Sequence, residues 1–281
     1  MRTIILISLL LFSLSCGNAI ESENIVYYTK QDSTKCVAIL NHSFDNKAIT
    51  TSKVAKLFLG APYQGGTLDR DTVERVVVRL DSLDCTTFVE SVSALTLCVN
   101  SGKNKFSDFL KALENIRYRN GVCNGYTSRL HYFSEWIMNN QEMGIIKDVY
   151  VEGVTKTEER TINFMSSNSE KYNGISNNSV LAQIKATEAI LSSIPFSYIP
   201  KDKIGCLNHE TIHEGDIIAI VTDIDGLDIS HVGFATFVDG EVYLLHASSA
   251  KKEVIIDPLT LTEYLAKFKR HVGIKILRPL F

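Results

Sequence analysis

The last third of the chain constrains the fold most, because it consists of short strand-like segments joined by brief turns. Five segments are rich in β-branched and aromatic residues: 216–223, 229–238, 241–248, 252–257 and 272–279. Asp239-Gly240 separates two of them by only two residues, which is typical of a tight hairpin. Strands connected in this way pair antiparallel. The sequence therefore predicts an antiparallel sheet, with a helix at 259–269 before its last strand.

Helices are predicted ahead of that sheet. Their periodic segments are 50–60, 84–99, 106–118, 128–144 and 179–193, and Ser179 is the predicted cap of the last one. In the most regular helix, which Ser82 or Asp84 can cap, one stripe carries the apolar residues Phe88, Val92, Leu95 and Val99. A strand is predicted within 74–84, and one more strand with polar connections within 148–172. Helices followed by a meandering sheet indicate the α+β class.

Residues 1–19 have the layout of a secretory signal, with Arg2 followed by a short apolar run and then small residues. Gly17-Asn18-Ala19 suits cleavage that releases a soluble protein, whereas the segment ending at Cys16 resembles a lipoprotein signal that would leave Cys16 lipidated. Both outcomes place the mature protein outside the cytosol, and a membrane is expected only through a lipid on Cys16. Residues 20–281 are long enough for one large domain or two small ones, and a single domain is expected. The net charge of −3 gives no electrostatic case for nucleic acid.

The chain has six cysteines and no CxxC pair, so a structural zinc knot is not expected. If Cys16 is removed or lipidated, an odd number remains, which in an exported protein indicates a free thiol. The spacing leaves open whether the following four pair or are buried as small apolar residues: Cys36, Cys98, Cys123 and Cys206.

The segment HETIH at 209–213 matches the HExxH pattern of zinc proteases. Such a site needs a long helix, but Gly205 lies just upstream, and Gly215 and a predicted strand follow at once. The extended pattern would also need Gly at 216 and His at 219, where the chain has Asp216 and Ala219. We therefore expect a polar loop, with no metal and no organic cofactor.

Cys85 stands at the predicted start of the helix 84–99. There the sulfur meets unpaired backbone N–H groups and the positive end of the helix dipole, and both favour a thiolate. The same N–H groups can stabilise an oxyanion formed when a thiolate attacks a carbonyl. A buried structural cysteine is the alternative. The position makes Cys85 a candidate nucleophile that still needs a base.

Two histidines on adjacent predicted strands are candidate partners. His231 is followed on its own face by Gly233 and Ala235, which leave space for a substrate. His246 lies on the next strand, where a hydrogen bond to His231 can fix the tautomer of that imidazole. The other histidines His42, His131 and His271 lack such a setting.

These motifs, in this order, resemble the NlpC/P60 superfamily of papain-like cysteine hydrolases that act on bacterial cell walls. The matching elements are Asp84-Cys85, Gly215-Asp216, His231-Val232-Gly233, His246-Ala247 and the Tyr-x-Gly-Gly turn that begins at Tyr63. The resemblance implies a papain-like fold, with N-terminal helices packed on an antiparallel sheet or half-barrel. It also implies Cys85, His231 and His246 as the catalytic residues.

Within that superfamily the chain is most similar to the DUF1460 subfamily, over roughly 50–280. The shared blocks are DCTTFVE, SRLHYFSEWI, GLDISHVGF and LLHASS. This likeness implies an N-acetylmuramoyl-L-alanine amidase of the bacterial cell envelope that acts on peptidoglycan fragments. Asp-Cys-Thr-Thr stands where the wider superfamily often has Asp-Cys-Ser-Gly, so substrate details of the wider superfamily do not transfer.

Further residues are expected to bind the substrate or the oxyanion. The backbone N–H of Cys85 and the hydroxyl of Tyr63 are candidates for the oxyanion, although Tyr63 also suits simple packing. Arg129 can pair with a substrate carboxylate. The remaining candidates are Asp84, Tyr126, Ser230 and the stacking aromatics Tyr132 and Trp136. An amphipathic helix with a solvated arginine is the alternative for 126–137.

Two other functions remain open from the sequence. A protein with the same fold can cut the γ-D-Glu–diamino-acid bond, as most of the wider superfamily does. A non-enzymatic lipoprotein can bind cell-wall fragments with an idle site, although all three triad residue types are present.

Overall fold

The computed structural model describes residues 26–44, 50–69, 73–207 and 210–281. Across these residues the largest element is an eight-stranded sheet in which every pairing is antiparallel. Its strands are β3 (Ile146–Asp148), β4 (Lys156–Glu158), β5 (Phe196–Pro200), β6 (Ile217–Thr222), β7 (Ile229–Val238), β8 (Glu241–Ser248), β9 (Glu253–Thr260) and β10 (His271–Pro279). The order is β4-β5-β10-β6-β7-β8-β9, and β3 also pairs with β10. A separate parallel pair joins β1 (Val26–Tyr27) to β2 (Val76–Val77).

The predicted antiparallel meander is confirmed, since β6, β7, β8 and β9 are neighbours in chain order. At the predicted hairpin Val238 pairs with Glu241. Asp239 and Gly240 both have positive φ angles, 51° and 86°. That backbone suits Asp-Gly and fits the twist of the flanking strands.

Helices cover the sheet. Those within the described ranges are α1 (Lys30–Leu40), α2 (Thr51–Ala55), α3 (Cys85–Asn100), α4 (Phe106–Arg117), α5 (Phe133–Glu142), α6 (Phe164–Ser167), α7 (Asn178–Ser192) and α8 (Leu261–Lys267). One sheet face, with Ile217, Ala219 and Phe234, joins the main core that includes α3. The opposite face, with Ile218 and Ile220, packs on α8.

Helix α3 is the central helix of the protein. Eleven of its 16 residues are buried, so it is covered on more sides than the predicted apolar stripe. Phe88 meets Phe234 of β7 edge to face, with ring centroids 5.6 Å apart. Glu90 is buried too, and Arg117 of α4 pairs with it at 2.6 Å. The helix is therefore fixed against the sheet, and its first residue has a defined position.

Helix α5 begins at Phe133 and not at 128 as predicted, because a distant side chain sets its start. The carboxylate of Asp228 accepts a hydrogen bond from Ser134 N at 2.7 Å, in the first turn of α5. Before that turn Arg129 forms a β-bridge with Tyr118. Periodicity alone does not reveal such a non-local cap.

Other elements also differ from the sequence prediction. The strand expected within 74–84 is only the two-residue β2, and Asn177, not Ser179, caps α7. Helix α1 and strand β5 were not predicted. Helix α1 depends in part on Asp32, which completes a capping box with Thr29 and accepts a hydrogen bond from Leu80 N at 2.7 Å. Strand β5 is short and bounded by prolines, so its pattern is weak.

The predicted signal at 1–19, with Cys16, lies outside the described residues. Among the helices of the described ranges, none combines the length and the apolar character that a membrane crossing requires. The single domain over 20–281 stays a prediction.

Candidate active site

The N-terminus of α3 carries Cys85 as its first helical residue. Asp84 caps the helix, since its Oδ1 accepts hydrogen bonds from Thr87 N and Thr87 Oγ1, both at 2.8 Å. Thr87 Oγ1 in turn accepts a hydrogen bond from Asp84 N at 3.0 Å. The first N–H groups of a helix have no intrahelical partner, so the N–H of Cys85 is available. Asp84, expected near the substrate, is thus a cap in this structure.

The sulfur of Cys85 contacts β7 near the end of the pairing between β7 and β8. The pairing of these strands ends at Phe234 and Leu245, so both His231 and His246 lie beyond the last paired residues. The N–H of Val232, the neighbour of His231, hydrogen-bonds the sulfur. Cys85 is half-buried, and a pocket of about 100 Å³ opens beside it.

Cys85 and His231 line the same pocket, so the structure brings the predicted thiol and imidazole together. The other lining residues come from the start of α3, from the segment ahead of α5 and from the start of β7. They are Thr86, Leu130, His131, Phe133, Leu227, Asp228, Ile229, Ser230 and Val232. The candidate Ser230 is therefore at the pocket, and its hydroxyl donates a hydrogen bond to Ile220 O at 3.4 Å.

A chain of polar contacts runs from His231 into the protein. His231 Nε2 lies 2.6 Å from His246 Nδ1, with the two rings nearly perpendicular at 86°. His246 Nε2 lies 3.4 Å from Asp257 Oδ2. Asp257 was not identified from the sequence. Its only signal was an acidic residue in the strand next to the one that carries His246.

His246 Nε2 is buried and makes no hydrogen bond within the described residues, and the Asp257 carboxylate approaches it. A carboxylate oxygen accepts, so this neighbour favours a proton on the Nε2 of His246 and leaves its Nδ1 as the acceptor. His231 must then donate its Nε2–H to that Nδ1, which leaves its own Nδ1 with a lone pair. His231 Nδ1 has no hydrogen-bond partner among the residues described here. It is therefore the nitrogen that can take a proton from a thiol in the pocket.

The resting thiol and imidazole are both neutral. Burial, with the Asp84 carboxylate second, raises the pKa of Cys85 to about 11, although the Val232 N–H opposes that shift. Burial, followed by the neighbouring His246, lowers the pKa of His231 to about 3. The helix N-terminus favours a thiolate, but burial of the sulfur outweighs its N–H groups and raises the pKa of Cys85, so the thiol needs a base as expected.

Tyr63 lies near the sulfur but does not line the pocket. Burial raises the pKa of its hydroxyl to about 12, and the Cys85 and Asp84 charges add to that shift. The hydroxyl therefore stays protonated and able to donate a hydrogen bond. Its ring also faces the ammonium of Lys252, 5.9 Å from the ring centroid.

Arg129 is not free to bind a substrate carboxylate, contrary to the prediction. It is 6% exposed and pairs with Asp69 and, at 3.3 Å, with Glu74. A buried guanidinium needs internal counter-ions, and these two carboxylates provide them. Arg129 therefore organises the wall behind the pocket.

The predicted stacking aromatics do not face the pocket either. Tyr132 and Trp136 are buried, and the Tyr132 hydroxyl donates to Glu188 at 2.7 Å. The ring of Tyr126 lies under the Arg129 guanidinium, 5.1 Å from its centroid, and the Tyr126 carbonyl contacts His131. The role predicted for Tyr126 in stacking on a substrate is thus replaced by one in holding its neighbours.

His131 lines the pocket, although its setting in the sequence does not indicate a site. Its Nε2 lies 2.7 Å from the carbonyl oxygen of Tyr126. Its place in the SRLHYFSEWI block, which carried the family resemblance, was the available signal. The extended segment before α5 brings His131 to the pocket. The predicted helix beginning at 128 did not indicate this position.

The HETIH segment forms no zinc-type helix in the part that the structure covers. Glu210 lies on a turn and His213 in irregular backbone before β6, and the N–H of His213 donates to Asp216 Oδ2 at 2.8 Å. His209 lies outside the described residues. Within 26–44, 50–69, 73–207 and 210–281 no group of three His, Cys, Asp or Glu side chains is arranged to hold a metal.

The five cysteines of the described ranges are free. Cys36 and Cys98 are buried, as expected for small apolar residues, and burial raises the pKa of both thiols. Cys123 is half-buried and Cys206 is exposed. Of these thiols only Cys85 lines the pocket with an imidazole.

Gly233 is needed where the two histidines meet. A Cβ at Gly233 would lie 2.9 Å from both His246 Cβ and Leu245 O. We expect Gly233→Ala to lower the free energy of unfolding by about 1–3 kcal/mol in urea titrations, because the backbone oxygen cannot move aside cheaply. Gly205→Ala is the matched control, since its methyl would enter open space. Equal stability of the two variants would contradict this packing.

A family model described as "AmiA-like: N-acetylmuramoyl-L-alanine amidase-like" matches residues 53–274. That span includes the thiol, both histidines of the polar chain and Asp257. No match was found among curated proteins.

Solved structures share the fold. An N-acetylmuramoyl-L-alanine amidase from Bacteroides uniformis is 37% identical, with a TM-score of 0.77 over 83% of this chain and 98% of that chain. A protein from Bacteroides fragilis, provisionally named a xylanase, is also 37% identical, with a TM-score of 0.75 over 80% of this chain and 99% of that one. A DUF1460 protein from Legionella pneumophila is 24% identical, with a TM-score of 0.68 over 89% and 95% of the two chains, and shows likeness of fold alone.

Proposed function

The chain belongs to the AmiA-like, N-acetylmuramoyl-L-alanine amidase-like family, and on that basis we propose that it hydrolyses the amide between N-acetylmuramic acid and L-Ala in peptidoglycan fragments, with Cys85 as the nucleophile. One observation carries the proposal. The sulfur of Cys85 and the imidazole of His231 share a small pocket, and His246 with Asp257 leaves His231 Nδ1 free to act as a base. Membership of the NlpC/P60 superfamily and a papain-like architecture are part of this proposal, supported by the order of the motifs.

Acylation begins with two neutral groups. His231 Nδ1 takes the proton of Cys85 as the sulfur attacks the lactyl carbonyl carbon, so charge develops only when substrate is present. The carbonyl oxygen becomes an oxyanion near the N–H of Cys85 and the hydroxyl of Tyr63, which donate to it. The His231 imidazolium then protonates the alanine nitrogen. The C–N bond breaks, the stem peptide leaves as a free amine, and a thioester remains on Cys85.

Deacylation reverses these roles with water as the nucleophile. His231, neutral again, takes a proton from water while the water oxygen attacks the thioester carbonyl carbon. The collapsing intermediate expels the sulfur, which recovers a proton from His231. The products are the free carboxylate of N-acetylmuramic acid and a peptide with a free L-Ala amine. No redox step or cofactor enters this sequence.

The proposed location is the bacterial cell envelope. The signal-like residues 1–19 support export, and Cys16 supports a lipid anchor as an alternative to release as a soluble protein. In both cases the substrate, peptidoglycan or its fragments, lies in the same compartment.

Glycoside hydrolysis, suggested by the provisional name of the Bacteroides fragilis protein, is less well supported by the pocket. That reaction needs two carboxyl groups on either side of the bond. The pocket beside Cys85 has one carboxylate, Asp228, and it is committed to Ser134 N at the start of α5. A thiol and an imidazole in the same pocket instead suit acyl transfer.

The products of digestion test the proposal. We expect purified protein to convert N-acetylmuramoyl-L-Ala-γ-D-Glu peptides into N-acetylmuramic acid and intact stem peptides, identified by mass spectrometry. A γ-D-Glu–diamino-acid endopeptidase would instead leave L-Ala-D-Glu on the sugar. A xylan oligosaccharide serves as the parallel substrate for the glycosidase alternative. Intact muropeptides after digestion, or xylan cleavage, would contradict the amidase proposal.

A further inference from the structure

The pocket holds a second imidazole that the proposed mechanism does not use. His131 faces the pocket with Cys85 and His231, while its Nε2 lies 2.7 Å from the carbonyl oxygen of Tyr126. A carbonyl can only accept, so Nε2 must carry the proton and Nδ1 must have the lone pair. His131 Nδ1 has no hydrogen-bond partner in the described part of the chain. The His131 ring therefore has a fixed tautomer, and its Nδ1 is a hydrogen-bond acceptor.

The position of this acceptor is fixed by packing. The Tyr126 ring lies 4.3 Å from the His131 ring, and Arg129 covers that tyrosine. A Cβ on Gly174 would lie only 2.0 Å from a Tyr126 ring carbon, so the chain presses closely on the tyrosine from that position. Burial, followed by the Arg129 charge, lowers the pKa of His131 to about 3 and keeps its lone pair free at neutral pH.

The proposed reaction determines what the acceptor can meet. Cys85 and His131 line the same pocket, which has a volume of about 100 Å³. The scissile amide must enter this pocket to reach the sulfur. An amide N–H that loses water needs an acceptor, or its desolvation is not compensated.

Other groups in the pocket are less suited to this N–H. The Asp228 carboxylate accepts from Ser134 N, and His231 Nδ1 is needed for the thiol proton. The hydroxyls of Thr86 and Ser230 can donate as well as accept, so they do not discriminate. Among the pocket's side chains that are not already committed, the imidazole of His131 is an acceptor whose tautomer is fixed by its contact with the Tyr126 carbonyl oxygen.

We propose that His131 Nδ1 accepts the N–H of the scissile amide, and that His131 thereby makes the site selective for amides over esters. This inference rests on the proposed amidase function. An ester has no N–H at that position, so a substrate oxygen there meets the lone pair of His131 without a hydrogen bond.

A pair of substrates that differ in one atom tests this role. N-acetylmuramoyl-L-alanine is compared with its depsi analogue, in which L-lactate replaces L-alanine and oxygen replaces the scissile nitrogen. We expect His131→Phe to lower kcat/KM for the amide by about 10- to 100-fold. For the ester we expect a change below about twofold, which also shows that the variant is folded. His131→Asn, whose amide oxygen can occupy the Nδ1 position, is expected to recover part of the loss.

Several outcomes would overturn the role of His131. They are equal losses on the two substrates, no loss on either, or a fall in kcat for both with kcat/KM unchanged, which would indicate an effect on the hydrolytic water. Failure of the proposed function has a different signature, because the unsubstituted protein would then release no L-alanine from the amide.

Discussion

Replacing Cys85 with alanine is expected to lower kcat/KM for muropeptide hydrolysis by about 10⁴-fold or more. The reason is that the sulfur forms the covalent bond of the proposed thioester, and no other cysteine of the described ranges lines the pocket. The rate is measured from the release of the free L-Ala amine, which is derivatised and quantified by chromatography. Because the side chain is small and half-buried, alanine should fit without unfolding the protein.

A matched cysteine controls this experiment. Cys206 is exposed and does not line the pocket, so Cys206→Ala should keep full activity. In that background iodoacetamide should label Cys85 and abolish hydrolysis. Activity of Cys85→Ala near that of the unsubstituted protein would exclude the cysteine mechanism. Failure of Cys85 to react would favour a protein that binds cell-wall fragments with an idle site.

What could be predicted from the sequence depended on local signals. The meander of β6 to β9 follows from alternating residues and a two-residue Asp-Gly turn, which need no distant partner. The position of Cys85 at a helix start likewise follows from the adjacent Asp84. These features are encoded within a few residues, so the pattern alone indicates them.

Features that depend on distant partners were not predictable in the same way. Arg129 was expected to bind a substrate carboxylate, with a solvated arginine as the alternative, but Asp69 and Glu74 pair with it from a separate segment. The start of α5 is set by Asp228, 94 positions after Ser134 in the chain. Whether a side chain faces a pocket or an internal counter-ion depends on such contacts.

The protonation of the Cys85 thiol also could not be predicted from local sequence. A helix N-terminus predicts a lowered pKa, yet the depth at which the fold places the sulfur raises it. Sequence supplies the helix terminus but not the burial, and here burial is the larger effect. In the proposed mechanism, a base of fixed tautomer therefore matters more than the helix dipole does.

The contacts that link His231, His246 and Asp257 predict a large loss of activity when His231 is replaced. His231→Ala removes the base and acid, so we expect kcat to fall by about 10³- to 10⁴-fold. His246 and Asp257 act through His231, and Asp257→Asn is expected to cost about 10- to 100-fold in kcat with KM unchanged. Asp223→Asn, which alters an exposed carboxylate 3.9 Å from Arg270, is the matched control.

The protonation of the two histidines gives readouts that a purely structural role of Asp257 would not move. The pH profile reports on His231, and ¹⁵N NMR reports on His246. Burial, then His246 and His271, lowers the pKa of His231, so protonation of this base occurs at more acidic pH than for a free imidazole. The acid limb of kcat/KM should therefore lie below the usual value of about 6.5. In Asp257→Asn, ¹⁵N NMR should show that His246 no longer holds its proton only on Nε2. An unchanged tautomer in a variant with reduced kcat would mean that Asp257 supports the fold and does not set the proton position on His231.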